Sequence, residues 1–446
     1  MIFLTYQYNG HAGNEKAKFL GRPGLLTSSF VDAILTLDAF PAGGAGSVEG
    51  RSKEFTMPAV KNISCRRILN SHVEFTNEFI IELEDGSVGS GGSPQGETIS
   101  IYEDKKISIG PATIIQKLQE AGAIGRDLGQ EGFDAILETQ IPLVGRNNAF
   151  SLSLAFFNAT NRTLPLDDLF GRPKAKPKPP FLCLNILNGG WHAYTNPVLS
   201  DFHEYILVAK STDLEDVIGD HNEVQRAVKE KLAGQAKTVV AGNPVNRFAT
   251  ADNRECIDFL LKIRDGLGLG PKFDLMIDAS AGDLWTDGAY HLPITDGSRR
   301  TPEQFQEYWA DIIREYGLRV LEDPFREQDP ESWGRLTASP NDCWIIGDNF
   351  YSSQSARIED GAARGYTHGA VIKPNQAGTV TGVRRAVDVC QRTGQVAITS
   401  HRSISTEETF ISTLTCLGGV KYIKIGPLLT DYSSVLRLNA IIRLLE

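Results

Sequence analysis

The chain has 446 residues, 41% of them apolar and 22% charged, the profile of a globular protein of two or three domains. Lys and Arg number 45 and Asp and Glu 55, a formal net charge of −10. This excludes a general nucleic-acid binder, which needs a basic field to displace counterions. No apolar run approaches the roughly 18 residues that cross a bilayer, so no integral membrane protein is expected.

Six cysteines (Cys65, Cys183, Cys256, Cys343, Cys390, Cys416) are scattered without a CxxC pair. They read as reduced, buried thiols in a cytoplasmic setting and not as a zinc site. The N-terminus, MIFLTYQYNG, lacks the basic start and small-residue cleavage site of a secretory signal.

Residues 1–56 hold short apolar patches, the turn-rich AGGAGSVEG and no sustained period of 3.6 or 2. Met57 stands directly before the first orderly strand pattern. We read 1–56 as a poorly ordered N-terminal extension or a misassigned start, without function. Residues 57–178 read as a small α+β capping domain. Within it, 74–84 (EFTNEFIIELE) alternates like a half-buried strand, and Asp85-Gly86 signals a hairpin turn. The Gly-rich GSVGSGGSPQGE that follows fits no phosphate-loop pattern. Residues 114–121 and 148–161 read as amphipathic helices, and the Pro- and Lys-rich GRPKAKPKPPF (171–181) as a stiff linker.

From 179 to 446 the grammar repeats: a short apolar run, a polar residue at its end, then a helical stretch. The runs at 273–277, 317–321 and 343–347 end at Asp278, Glu322 and Asp348. Those at 370–372, 396–400 and 422–423 end at Lys373, His401 and Lys424. Helices are expected at 302–316, where Thr301 caps and Pro302 opens the first turn, at 380–393 and at 433–445. GLGLG (266–270) reads as a helix exit. Buried strands alternating with helices over this length define a (β/α)8-type barrel, whose active site lies at the C-terminal strand ends.

One acid after a strand is ordinarily a helix cap, but six consecutive ionisable strand ends are not explained by capping. Three neighbouring carboxylates would repel one another severely and so imply a divalent cation; oxygen ligands suit Mg²⁺, with Mn²⁺ as substitute. Lys373, His401, Arg402 and Lys424 would form an opposite, positive wall. A metal facing lysines suits proton abstraction next to a carboxylate, with a lysine as base and the cations holding the enolate.

These residues resemble the enolase family, over nearly all of 62–446. The segments are LNILNGGWHA (184–193), DLMIDAS (274–280), LEDPFREQD (321–329), IIGDN (345–349), VIKPNQAGT (371–379), SHRS (400–403) and IKIG (423–426), with GRNNAFSLSLA (145–155) in the smaller domain. The resemblance implies a cytoplasmic, homodimeric enzyme with Asp278, Glu322 and Asp348 as Mg²⁺ ligands and Lys373 as the base at C2. It implies Lys424 on the substrate carboxylate and enolate, Arg402 and Ser403 on the phosphate, and His401 lining the pocket. His192 matches a histidine that closes over substrate, and Ser93 a loop serine at a second Mg²⁺. Glu204 matches an active-site glutamate; a competing placement puts Asp201 there.

Three segments depart from the family. Its GDEGG loop is replaced by VVAGNPVNRFA (239–249), so Asn243 falls where a glutamate helps expel the C3 hydroxyl, and an amide has no proton to give at neutral pH. The lid reads HAYTNPVLSDFHEY, with a three-residue insertion, and DSRGNPT has become NSHVEFT at 70–76. Enolate machinery without that acid implies a changed substrate or second step. Enolase relatives of this kind include the carboxyphosphonoenolpyruvate synthase of phosphonate natural-product, hence antibiotic, pathways. Such an enzyme would take a small anionic phosphorylated three-carbon acid and a phosphonate co-substrate. The alternatives are an atypical enolase (phosphopyruvate hydratase), converting 2-phosphoglycerate to phosphoenolpyruvate, and an inactive enolase-fold binding protein.

Overall fold

The structure, a computed structural model, describes residues 58–96, 99–103, 109–160, 176–190, 196–234, 236–240, 243–247, 252–426, 428 and 432–446. The expected extension over 1–56, and residues 171–175 of the linker, lie outside them.

An antiparallel sheet opens the described chain, β1 (Val60–Leu69), β2 (Phe75–Leu83) and β3 (Val88–Gly92), in that order. Three helices pack against it: α1 (Pro111–Glu120), α2 (Gln130–Val144) and α3 (Arg146–Thr160). The alternation at 74–84 forms β2, which buries Phe79, Ile81 and Leu83 in a core shared with Phe133, Leu137 and Phe156. Helix α1 begins earlier than the expected 114 because Pro111 supplies the fixed φ of a first turn. β1 is the strand that follows Met57, whereas α2, which contains Pro142, escapes the sequence reading.

Val88–Gly92 of the Gly-rich segment form β3. A Cβ on Gly89 would stand 2.2 Å from Ala159 N, and one on Gly91 2.2 Å from Ser151 O. Glycine is there so that α3 can lie directly on β3.

Eight further strands close a barrel: β4 (Phe181–Asn188), β5 (Glu204–Ala209), β6 (Phe273–Asp278), β7 (Val320–Glu322), β8 (Trp344–Gly347), β9 (Gly369–Ile372), β10 (Val396–Ser400) and β11 (Tyr422–Ile425). Parallel pairing runs from β6 through β11 to β4, but β5 is antiparallel to both its neighbours, β4 and β6. The barrel therefore opens on a hairpin, where sequence suggested regular β/α alternation. After Glu204 the run YILVA is apolar throughout, and such a run has no preferred direction.

The helices form the outer layer. α4 (Leu214–Ala233) and α5 (Arg254–Gly266) follow β5; α6 (Pro302–Tyr316) starts with the Thr301 and Gln304 capping box. α7 (Pro330–Thr337), α8 (Ser355–Arg364), the single turn α9 (Pro374–Ala377), α10 (Val380–Thr393), α11 (Phe410–Gly418) and α12 (Tyr432–Leu445) complete the layer. Among the described residues no helix is long and apolar enough to cross a membrane. All six cysteines are unpaired thiols, five of them buried, and burial pushes Cys183 up to about 12.

Candidate active site

Alternate residues of each strand face the barrel axis, where Ile206, Met276, Val320, Ile346 and Val371 pack together. Two positions along from them come Glu204, Asp278, Glu322, Asp348 and Lys373, so the strand period of two puts these groups over the apolar plug. Register fixes their level: Glu204 is the cross-strand partner of Asp278, and Asp278 of Glu322.

Lys424, on β11, reaches this rung from across the mouth. Its Nζ lies 2.7 Å from Glu204 Oε2, 2.8 Å from Asp278 Oδ2 and 2.7 Å from Glu322 Oε2. Lys373 Nζ pairs with Asp348 Oδ2. The two-walled site expected from sequence is therefore corrected: both lysines sit among the carboxylates, because an eight-stranded interior is only wide enough for its own side chains. Burial alone would lower Lys424, but Asp278, Glu204 and Glu322 hold its ammonium well above its ordinary value. Burial would raise Asp278, yet Lys424 and His203 keep it below the usual carboxylate range. Glu322 is pushed well up, by burial and then by the Asp278 charge.

Residues the sequence reading passed over complete the cluster. Asp323 directly follows Glu322, with φ +44°, and its carboxylate accepts from the backbone N–H of Asp348 at 2.9 Å and Asn349 at 2.7 Å. It thereby fixes the turn that presents Asp348. Asn185 Nδ2 donates to Glu204 Oε1 at 2.8 Å, and Gln376 Nε2 to Asp348 Oδ1 at 3.3 Å. A second acid after a strand end was the available signal for Asp323; the two amides gave none.

Arg402, 5% exposed, has Glu103 Oε1 3.2 Å from its NH1, and His401 Nδ1 lies 3.4 Å from Lys424 O. Ser403 is exposed, and its carbonyl accepts from Ser71 Oγ at 3.4 Å. Ser93 is buried in the capping domain with its Oγ 3.4 Å from Asn148 Oδ1, across a cavity of about 220 Å³ from Arg402. That cavity lies on the capping-domain side of Arg402 and Glu103, away from the carboxylate rung. Asp201 takes part in a separate buried network with Asn253, Ile294 N and Thr295, while Glu204 stands in the rung. His192 lies outside the described residues. Asn243 starts the second strand of a hairpin, Ala236–Val240 with Asn243–Arg247.

The donor set suits a hard divalent cation: Asp278, Glu322 and Asp348 offer only oxygen, and buried Glu322 Oε1 has no hydrogen-bond partner. Four carboxyl groups, counting Glu204, pair with the two lysines, while Asp323 holds backbone N–H groups. Among the described residues no three acidic, His or Cys side chains are gathered at metal-ligand spacing. They converge on the ammonium groups instead.

A barrel with an acidic rung and two lysines at its strand ends defines a β/α-barrel protein equipped for acid–base chemistry at one buried spot. Residues 177–446 match the family model described as the enolase C-terminal TIM barrel domain. The chain belongs to the enolase superfamily.

Proposed function

We propose that the chain is a Mg²⁺-dependent enzyme that removes the C2 proton of a 2-phosphoglycerate-like acid. We further propose that it acts as a biosynthetic paralogue of enolase, of the carboxyphosphonoenolpyruvate synthase kind, joining a phosphonate co-substrate to a phosphorylated three-carbon acid. The observation behind this reading is the buried rung in which Lys424 binds Glu204, Asp278 and Glu322 while Lys373 binds Asp348. Asp278, Glu322 and Asp348 would hold the metal, which when bound supplies charge stabilisation for a developing enolate. Lys373 takes the proton from C2, and Lys424 pairs with the substrate carboxylate. Arg402 and Ser403 receive the phosphate, His401 lines the pocket and His192 closes over the substrate; Ser93 would serve a second metal. Burial of the rung excludes water and strengthens each of these charge interactions.

Asn243 separates this reading from a hydratase. Purified protein with Mg²⁺ is expected to exchange the C2 proton of 2-phosphoglycerate with solvent deuterium, and Lys373→Ala to lose about 10³-fold in that rate. Water loss is expected to be far slower than exchange and to recover in Asn243→Glu. No exchange from any phosphoglycerate-like acid would sink the enolate mechanism and favour an inactive binding protein. A normal phosphoenolpyruvate yield would make the chain an atypical enolase. We propose a cytoplasmic homodimer, which sedimentation at micromolar concentration tests.

A further inference from the structure

Arg402 is the one buried guanidinium beside the rung among the described residues, and a carboxylate already faces it. Glu103 belongs to the short segment 99–103, which comes from the capping domain and lies on the barrel rim. Ser100 Oγ donates to Asn349 O at 2.8 Å, Gln354 Nε2 donates to Tyr102 O at 3.0 Å, and the Arg357 guanidinium stacks 3.3 Å above the Tyr102 ring. Tyr102 OH reaches Glu327 O at 3.4 Å. Held in this way, Glu103 Oε1 takes Arg402 NH1 at 3.2 Å and Gln376 Nε2 at 3.3 Å, and Gln376 also reaches Asp348. Gly96, whose Cβ would stand 1.6 Å from Arg402 NH2, lets the preceding backbone press on the same guanidinium.

We propose that Glu103 is a specificity-determining residue: its carboxylate fills the anion position at Arg402, and an anionic substrate enters only by displacing it. This rests on the reading above that Arg402 receives the substrate's phosphate. A phosphate taking the NH1 side of the guanidinium, where Glu103 already stands, would meet that carboxylate at close range, so entry there requires segment 99–103 to lift from the rim. The contacts of Ser100 and Tyr102 set how readily it lifts. Weak anions are thereby rejected, and a ligand must bring further attachment at the rung to win the position.

Inorganic phosphate tests this by titration calorimetry on the full chain, because it probes the Arg402 position without the rung. Glu103→Gln, nearly isosteric but uncharged, is expected to bind phosphate about tenfold more tightly than the wild type. Tyr102→Ala, which loosens the segment and leaves the charge in place, is expected to shift affinity in the same direction. Binding equal in all three forms and abolished by Arg402→Ala would overturn the displacement and leave the phosphate position standing. Phosphate binding by none of them would overturn both.

Discussion

At the scale of single residues, Lys424 decides whether the rung holds together. Three carboxylates, those of Asp278 and Glu322 buried and that of Glu204 partly so, meet at one ammonium, and each pair repels without it. Breaking a buried ion pair from one side costs about 3–5 kcal/mol, because the remaining charge is left unpaired in a poor solvent. Lys424→Ala is therefore expected to lose about that much in urea denaturation without metal. Mg²⁺ should return more stability to the variant than to the wild type, since the variant offers its carboxylates without competition. An unchanged midpoint, with or without Mg²⁺, would show that Lys424 is not their counter-charge. Asp323 makes a different contribution: its carboxylate accepts from two backbone N–H groups, and these set where Asp348 stands.

At the scale of elements, β3 shows how composition can mislead. GSVGSGG suggests a loop, and its VGSGG is a strand because α3 lies on its glycines too closely for any side chain. Gly91→Ala would drive a Cβ to within 2.2 Å of Ser151 O and is expected to cost about 3 kcal/mol, read as a lowered unfolding midpoint. Stability within experimental error of the wild type would mean that α3 can move off the sheet freely. The barrel strands were legible for the opposite reason. Runs such as DLMID and VAITS are buried on both faces, and their lengths, spacing and polar ends survive in the sequence whatever the tertiary context. The direction of β5 was not legible, because reversal leaves an apolar run unchanged. Glu103 was hidden by distance along the chain: it lies 299 residues from Arg402, in a segment without periodicity. Most of the rung could be found from strand ends. Its partners from the capping domain and from amide side chains could not, since nothing local distinguishes them.

At the scale of the whole molecule, the capping domain and barrel share a buried polar joint. Asp134 on α2 accepts from Ser153 Oγ at 2.6 Å and from Thr381 N at 2.9 Å, and Ser153 Oγ accepts from Val380 N at 2.8 Å. The open end of α10 is thus satisfied by side chains from α2 and α3, and a carboxylate there also meets the positive end of the helix dipole. Asp134→Ala is expected to cost about 2–3 kcal/mol. Amide exchange should speed up in both 130–160 and 380–393, whereas faster exchange in α10 alone would mean that the joint does not couple the two layers. The same two helices line the cavity beside Arg402, through Val144 at the end of α2 and Arg146, Asn147 and Asn148 at the start of α3.

The reversed strand β5 has a consequence for how this molecule can diversify. A parallel neighbour would need a helix to return the chain, and the geometry of that helix would constrain everything between the strands. Here β4 and β5 are joined directly across the mouth, with Asn188 opposite Glu204. The strands on either side of the connection are held together at its two ends, where Gly189 N–H donates to His203 O at 3.0 Å and Gly190 N–H to Ser200 O at 2.8 Å. Residues can be added there at little cost in chain entropy. A connection of this kind can lengthen while β4 and β5 keep their register, and WHAYTNPVLSD falls between the two strands in the sequence.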